Sequence, residues 1–159
     1  MYYVSKYKSI LGDILLASDG EYLIGLWFCD QKHFASTIDN SYKKEELEIF
    51  SITKKWLNIY FNREKPNFSI PIKLIGTDFQ IKVWNELLNI HYGSTTTYGN
   101  IAKKLGCKSS RAVGMAIGKN PISIIVPCHR VIGANGGLTG YAGGIYRKEK
   151  LLELEKNKI

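Results

Sequence analysis

The sequence has no long apolar segment and few cysteines. No stretch approaches the roughly 20 consecutive apolar residues of a membrane-spanning helix, and the amino terminus lacks a signal-peptide pattern. Cys29, Cys107 and Cys128 are odd in number and widely spaced, so no disulfide framework is expected. Cys29 and His33 have no second ligand pair with zinc spacing, so neither a metal nor another cofactor is predicted. We therefore expect a soluble, cytoplasmic protein.

Charge is distributed unevenly along the 159 residues, which carry a formal net charge of +8. Residues 1–75 contain 10 Lys+Arg against 9 Asp+Glu, whereas residues 76–159 contain 12 against 5. A basic carboxy-terminal half beside a balanced amino-terminal half indicates a polyanionic partner for the basic half. A lysine-rich surface that meets only solvent is the alternative, and charge alone does not separate the two.

The amino-terminal half has the pattern of a small sheet domain. Three short apolar segments, residues 2–7, 14–17 and 22–28, are separated by Gly/Asp turns, which is typical of antiparallel strands. Residues 31–43 are polar and predict a loop, and apolar residues near helical spacing predict an amphipathic helix over 44–61. A segment with two prolines and little periodicity follows. We therefore predict two domains, 1–75 and 76–159.

The carboxy-terminal half predicts a helix-turn-helix. After a helix that begins at Thr77-Asp78, two short helices over 98–105 and 111–118 flank a turn that contains Gly106. The second short helix is mostly Ala and Gly with one arginine, so it can approach a sugar-phosphate backbone but can read few base edges. If it binds DNA, we expect minor-groove contact with little sequence preference. Tight helix packing explains the small residues equally well.

A short apolar segment, residues 124–126, precedes the strongest chemical candidate. The segment predicts a buried strand that ends at Pro127, and Cys128, His129 and Arg130 follow at once. A free thiol has a pKa of about 8.5, which cationic or hydrogen-bonding neighbours can lower toward neutral. A lone buried cysteine is more often a small apolar core residue. Because polar residues interrupt an apolar run here, we interpret Cys128 as a nucleophile.

Together these motifs resemble the O6-alkylguanine-DNA alkyltransferase (methylated-DNA–protein-cysteine methyltransferase) family. The matching strings run in order over residues 76–155: Gly76-Thr77-Asp78-Phe79-Gln80, Val83-Trp84, Thr97-Tyr98-Gly99, Ile101-Ala102, Arg111-Ala112-Val113-Gly114, Asn120-Pro121-Ile122, Pro127-Cys128-His129-Arg130-Val131-Ile132-Gly133 and Gly140-Tyr141-Ala142-Gly143-Gly144. Residues 1–75 match only in general plan. The resemblance implies an α+β protein: a small antiparallel-sheet domain, RNase H-like, followed by a mainly helical domain with a winged-helix-like helix-turn-helix.

The resemblance also implies a reaction. The alkyl group of O6-alkylguanine in DNA would move once and irreversibly to Cys128, through a relay of the cysteine, a water, His129 and Glu155. The residues alone do not distinguish the three glutamates of the last helix, Glu149, Glu153 and Glu155.

Further residues receive roles from the same resemblance. Tyr98 would rotate the target phosphate and hydrogen-bond the leaving base, and Asn120 would tie the recognition helix to the active-site segment. Arg111 would fill the space of the flipped nucleotide, since a base inside a duplex cannot reach a buried thiol. The implied DNA contacts are Thr97, Tyr98, Lys108, Arg111, Ala112, Gly114, Met115 and Ala134. The implied pocket residues are Ser123, Val131, Thr139, Tyr141, Ala142 and Gly143.

The implied partner is double-stranded DNA that carries O6-alkylguanine, with O4-alkylthymine as a second candidate base, and the implied state is a monomer that binds no membrane. The turn from Gly106 to Arg111 lacks the proline common in the family, and Ser123 and Thr139 stand where other members carry proline and glycine. The sequence has three alternative interpretations besides repair: a non-catalytic binder of alkylated DNA, a helix-turn-helix regulator and a thiol hydrolase. The presence of Cys128 argues against the first, and the Ala/Gly-rich helix argues against the second.

Overall fold

The amino-terminal half forms a four-stranded sheet in the computed structural model, which describes residues 1–39, 41–138 and 140–156. The strands are β1 (Tyr2–Ser9), β2 (Gly12–Ser18), β3 (Leu23–Phe28) and β4 (Tyr42–Lys44). The first three pair antiparallel, which confirms the three predicted strands, and β4 joins β1 in parallel to give the order β3-β2-β1-β4. The loop predicted over 31–43 therefore ends in a strand. That strand was missed because it has only three residues, all exposed, whose Tyr-Lys-Lys sequence shows no alternating apolar pattern.

Helix α1 (Glu48–Phe61) follows the sheet and packs its apolar side against it. Its predicted start at residue 44 is four residues early. Lys44 pairs with Val4 in the sheet, and Leu47 is extended at φ −106°, so the helix cannot begin before Glu48. The buried face of α1 includes Phe50, Leu57 and Tyr60. Burial of a large apolar side chain contributes about 1.5–3 kcal/mol, so this face fixes α1 against the sheet.

The carboxy-terminal half is mainly helical, as predicted. Its elements are α2 (Asp78–Leu87), β5 (Thr96–Thr97), α3 (Tyr98–Lys104), α4 (Ser110–Gly118), a 3₁₀ helix (Cys128–Arg130), β6 (Val131–Ile132) and α5 (Ile145–Lys156). Each of the first three helices begins where a hydroxyl side chain accepts a backbone N–H, on Thr77, Thr97 and Ser109 respectively. Gly106, at φ +67°, ends the turn after α3 in a left-handed conformation that disfavours other residues. Helices α3 and α4 form the predicted helix-turn-helix.

The prediction of a buried strand over 124–126 is wrong, because these residues form a turn. The Ser123 N–H donates to the Leu26 carbonyl of β3, and the chain then turns away from the sheet. Ile124 has φ +70°, a rare conformation for a β-branched residue, and the Val126 N–H bonds back to the Ile122 carbonyl. Three apolar residues suit a buried turn as well as a buried strand, so the pattern alone does not separate them. Cys128 therefore follows a compact turn.

The two halves share one apolar core. Leu26 of β3 and Ile122 before the compact turn form a parallel bridge, and both are fully buried. Arg147 of α5 also crosses to the sheet: its guanidinium bonds Asp30 at 2.7 Å and lies 4.4 Å from the centre of the Phe28 ring. In the part of the chain that the structure describes, no helix has the length and apolar character needed to cross a membrane.

Candidate active site

Cys128 begins the 3₁₀ helix, and its side chain is almost completely enclosed, at 5% relative exposure. Burial raises the pKa of the Cys128 thiol above its ordinary value, although hydrogen bonding from Asn120 and Ser123 and the charge of Lys148 act in the opposite direction. Neighbours that lower the pKa of this thiol are thus present, but burial outweighs them. A neutral thiol needs a base before it can attack carbon as a thiolate.

The base lies next in the chain. His129 is fully buried, and its Nε2–H donates to Glu155 Oε2 at 2.6 Å. This bond fixes the tautomer, because an ionised carboxylate can only accept, and it leaves Nδ1 with its lone pair. Among the described residues, no group hydrogen-bonds Nδ1. Burial lowers the pKa of His129 while Glu155 acts to raise it, so the imidazole is neutral at pH 7 and Nδ1 can accept a proton.

Glu155 is held by donors on both of its oxygens. Oε1 accepts from the Gly93 N–H at 3.1 Å and from Arg130 Nε at 2.9 Å, and Oε2 accepts from Arg130 Nη2 at 3.1 Å and from Tyr60 Oη at 2.6 Å. Burial alone would raise the pKa of Glu155, but His129 and Arg130 hold it well below its usual range. The carboxylate is therefore ionised, and it can stabilise a positive imidazolium.

These contacts separate Glu155 from the other two glutamates of α5. Glu149 and Glu153 are exposed, whereas Glu155 is buried beside His129. Tyr60 and Arg130 also belong to the site, although the sequence predicted no role for either of them. Nothing in the sequence marks Tyr60, which occupies an ordinary apolar position of α1; the interruption of an apolar run by a charged residue was the signal for Arg130.

Asn120 connects the end of α4 to the turn that carries Cys128. Its Nδ2 donates to the Val126 carbonyl at 2.8 Å, and its Oδ1 accepts from the Ile122 N–H at 3.0 Å. Both bonds are buried, so the side chain fixes the turn from inside. The predicted link between the recognition helix and the active-site segment is present as this pair of bonds.

The predicted pocket residues lie around the same turn. Ser123 Oγ and Tyr141 Oη are 3.1 Å apart, and both side chains are buried. A Cβ on Gly143 would lie 2.5 Å from the Tyr141 ring, so only glycine allows this packing. Val131 is buried in the pairing of β6 with β5, and Ala142 is half-buried. Thr139 lies outside the described residues.

Lys148 is a further buried group, for which the sequence predicted no role. Its side chain is fully buried, and Nζ lies 5.8 Å from the centre of the Tyr98 ring. Burial lowers the pKa of Lys148 to about 8, while Cys128 acts to raise it. Lys148 precedes Leu151 by three residues and Glu155 by seven, so all three share one face of α5. A lysine on the buried face of a helix was the available signal.

The predicted DNA contacts divide between one depression and the surrounding surface. A depression of about 460 Å³ is lined by Tyr98, Ser110, Arg111, Gly114, Met115 and Gly140. Thr97 caps α3 by accepting from the Asn100 N–H. Lys108 and Ala134 are exposed and Ala112 is half-buried, and these three lie outside the lining of the depression. The helix-turn-helix thus brings Tyr98 and Arg111 to the same opening.

One family of known proteins matches nearly the whole chain. Residues 78–157 match the family model described as 6-O-methylguanine DNA methyltransferase, DNA binding domain, and residues 1–74 match its ribonuclease-like domain. A methylated-DNA–protein-cysteine methyltransferase of Methanosarcina acetivorans is 49% identical over 156 residues, covering 98% of both chains. A Mycobacterium tuberculosis protein of the same name is 48% identical over 151 residues, covering 94% of this chain and 90% of that one.

Two solved structures have the same fold. The crystal structure of Mycobacterium tuberculosis O6-methylguanine methyltransferase has a TM-score of 0.89 at 46% identity, covering 100% of this chain and 95% of that one. The crystal structure of Mycobacterium tuberculosis OGT in complex with DNA has a TM-score of 0.87 at 46% identity, covering 98% and 92% of the two chains.

Proposed function

This chain belongs to the 6-O-methylguanine DNA methyltransferase family and repairs DNA by direct reversal, and we propose that Cys128 accepts the alkyl group from guanine O6. One observation carries the assignment of Cys128: the enclosed thiol adjoins a buried imidazole whose Nε2–H is bonded to Glu155 and whose Nδ1 can take a proton. A structural cysteine has no need of an adjacent base that is fixed in this way.

The transfer is a displacement at carbon. The thiol proton passes through a water to Nδ1 of His129, and the thiolate forms an S–C bond as the C–O6 bond breaks. The electron pair of that bond leaves with guanine, which takes up the proton that the imidazolium gives back and returns to its normal form. Glu155 stabilises the imidazolium in the meantime, in the manner of the acid of a hydrolase triad. Because the product is a thioether, each protein molecule reacts once.

Access to the thiol requires base flipping. The target nucleotide enters the depression at Tyr98, and Arg111 of α4 fills the place that it leaves in the stack. A crystal structure of the Mycobacterium tuberculosis relative with DNA supports DNA as the partner. With short side chains next to Arg111, α4 approaches the minor groove and holds the duplex chiefly through its backbone, with little sequence preference.

The pocket would hold the flipped guanine beside the turn at Cys128. Backbone groups of Cys128, Val131 and Ala142 read the edge of the base, and Tyr141 forms one wall, fixed by its bond to Ser123. Recognition by backbone groups suits a base whose distinguishing atoms lie along its edge. We further propose that the protein acts as a monomer, with all of these groups supplied by one chain.

Intact mass spectrometry tests the proposal. The protein is incubated with a duplex that carries one O6-methylguanine, and in parallel with the unmodified duplex and with an O4-methylthymine duplex. A gain of one methyl group per molecule, mapped to the Cys128 peptide, is expected with the first duplex. Binding without mass gain would indicate a non-catalytic binder or a regulator, turnover without mass gain would indicate a hydrolase, and a methyl group on Cys29 or Cys107 would move the acceptor.

A further inference from the structure

Tyr60 places a hydroxyl from the amino-terminal half inside the relay. It lies on α1, and Glu155 lies on α5, 95 residues later. Tyr60 Oη donates to Glu155 Oε2 at 2.6 Å, and the same oxygen accepts from His129 Nε2 at 2.6 Å. Two donors from opposite halves of the chain thus share one carboxylate oxygen.

Aromatic packing holds the Tyr60 ring in this position. The ring stacks on Trp56 at 5.4 Å with an interplanar angle of 8°, and it meets Phe61 and Tyr92 edge-on at 5.5 and 6.1 Å. The side chain is fully buried. A ring fixed on several sides directs its hydroxyl to one point, which here is Glu155 Oε2.

The proton of the Tyr60 hydroxyl is committed to Glu155. Burial and the charge of Glu155 raise the pKa of Tyr60 well above its usual value, so the phenol stays protonated. A phenol has one proton to donate, and Tyr60 Oη lies 3.4 Å from His129 Nε2 against 2.6 Å from Oε2. The Tyr60 hydroxyl therefore donates to Glu155 rather than to His129, and the Nε2–H of His129 donates to the same carboxylate oxygen.

From this geometry we propose that Tyr60 is a positioning residue for alkyl transfer: its hydroxyl fixes Oε2 of Glu155 where that oxygen orients His129. The inference rests on the proposed function, in which His129 takes the thiol proton. It also gives the amino-terminal half a direct part in the reaction, because one of the donors to the catalytic carboxylate comes from that half.

Removal of the hydroxyl should have two effects. In Tyr60→Phe the carboxylate is less firmly oriented, so we expect transfer at pH 8 to slow by about 10-fold, the scale of one lost hydrogen bond to a charged group. Without the Tyr60 hydroxyl, the Glu155 carboxylate has one hydrogen-bond donor fewer. Its negative charge then stabilises the imidazolium more strongly, and the pKa of His129 rises. Since His129 must be neutral to act as a base, the deficit should widen as pH falls from 8 to 6.

Tyr92→Phe is the matched control. Its hydroxyl is buried in the same aromatic group, yet within the described residues it has no hydrogen-bond partner, and phenylalanine keeps the ring beside Arg130. Apart from Tyr60 and Tyr92 themselves, the charged and titratable groups that face the relay are the same in both variants: Cys128, Arg130, Tyr141 and Lys148. A change in the pH profile confined to Tyr60→Phe is therefore attributable to the Tyr60 hydroxyl.

The experiment measures transfer of the benzyl group from free O6-benzylguanine base to the intact protein by mass, from pH 6 to 8.5, for wild type and both variants. If wild type gains no group on Cys128, either from this base or from the O6-methylguanine duplex, the proposed function fails; if it reacts only with the duplex, the duplex replaces the base as substrate for all three proteins. If wild type reacts and Tyr60→Phe matches it in rate and profile, only the role of Tyr60 fails. If both variants react equally slowly and their pH profiles match that of wild type, Tyr60 contributes only through packing.

A measurement on wild type keeps the inference testable should Tyr60→Phe not fold. Nitrogen-15 NMR of the histidine rings reports which nitrogen of His129 carries the proton, and proton spectra report whether the Tyr60 hydroxyl exchanges slowly with water. We expect a protonated Nε2 and a protected hydroxyl proton. An unprotonated Nε2, or a hydroxyl that exchanges freely, would overturn the inference.

Discussion

Buried charge decides how the residues of this site behave. Glu155 is ionised because Arg130 and the other donors offset the cost of its burial, whereas His129 and Cys128 remain neutral because burial opposes a charge on either one. The site therefore holds a neutral thiol beside a neutral imidazole, and in the proposed reaction the thiol has to give up its proton to the imidazole.

The neutral His129 makes stability depend on pH. Because burial lowers its pKa below the ordinary 6.5, the unfolded chain takes up a proton at a pH where the folded chain does not. The free energy of unfolding should therefore fall as pH falls below about 6.5, by at most about 1.4 kcal/mol per pH unit for this one proton. The contribution of Glu155 to stability changes over a lower pH range. Because its pKa is depressed, this contribution is complete above about pH 4.5 and is lost as pH falls further.

Thermal melts of wild type and His129→Gln between pH 7.5 and 5 check this dependence. We expect the midpoint of wild type to fall with pH in this range, and the slope to be much smaller in the variant. His91→Gln is the control, since His91 is exposed and should keep the wild-type slope. An undiminished slope in His129→Gln would place the responsible proton elsewhere.

The role of Cys128 predicts a separation of chemistry from binding. Cys128→Ser should abolish methyl transfer, because a serine hydroxyl is a far weaker nucleophile, while the affinity for a methylated duplex should stay within a few-fold of wild type. Phosphate contacts supply most of the affinity, and the enclosed thiol supplies little contact surface. Mass spectrometry and fluorescence anisotropy at one salt concentration measure the two properties. Transfer that survived in the variant would require another acceptor.

At the scale of elements, the sequence predicts best where local chemistry decides. The starts of α2 and α3 fall where Thr77 and Thr97 cap them, and the three antiparallel strands follow short apolar segments that lie between Gly/Asp turns. It fails where a distant partner decides: β4 exists because β1 offers a free edge, and residues 124–126 turn because β3 binds only the residues just before them. These partners are tens of residues away in the chain.

The same distinction applies to the site. Cys128 and His129 are adjacent in the chain, so their chemistry is visible in one motif. Glu155 could be chosen among three glutamates only through the family resemblance, and it is the fold that buries it beside His129. Tyr60 was not predictable, because an aromatic residue on the buried stripe of an amphipathic helix is normally part of the core.

Helix α4 leads to a prediction about flipping. Arg111→Ala should slow repair of a methylated duplex by at least about 10-fold, because a nucleotide held out of the stack costs a few kcal/mol. Reaction with the free O6-benzylguanine base, which needs no flipping, should change little. Lys119→Ala removes the same charge at the other end of α4 and should affect the duplex reaction far less. Equal slowing of both reactions by Arg111→Ala would assign Arg111 to the pocket or the fold.

At the scale of the molecule, the two halves are coupled through the site itself. Tyr60 reaches Glu155 from α1, Leu26 bonds the segment that leads to Cys128, and Arg147 joins α5 to the sheet. The boundary predicted between residues 75 and 76 separates two sequence patterns, but the apolar core is continuous across it. A change in volume or charge at Cys128 should therefore alter the packing of elements in both halves.

Alkylation is such a change. Packed interiors have little spare volume, and extra carbon in a packed site costs about 1–3 kcal/mol out of a total stability of about 5–15 kcal/mol. Alkylation of Cys128, which is enclosed beside Asn120 and Ser123, also removes the thiol proton that its relay with His129 transfers. We expect the melting temperature to fall by about 2–4 °C for each kcal/mol lost, in the order free thiol, methylated, benzylated.

Melts of the three forms in one buffer measure this order. Each form is prepared by reaction with substrate and verified by intact mass before it is heated. Cys128→Ser treated with the same substrates is the control: with no acceptor, its midpoint should not move, which separates the effect of the adduct from that of residual ligand. The step from methyl to benzyl is the more sensitive test, because a pocket with room for one methyl group has less room for a ring. A benzylated midpoint equal to or above that of the free thiol would show that the pocket opens to accommodate the adduct and that packing around Cys128 does not limit the product.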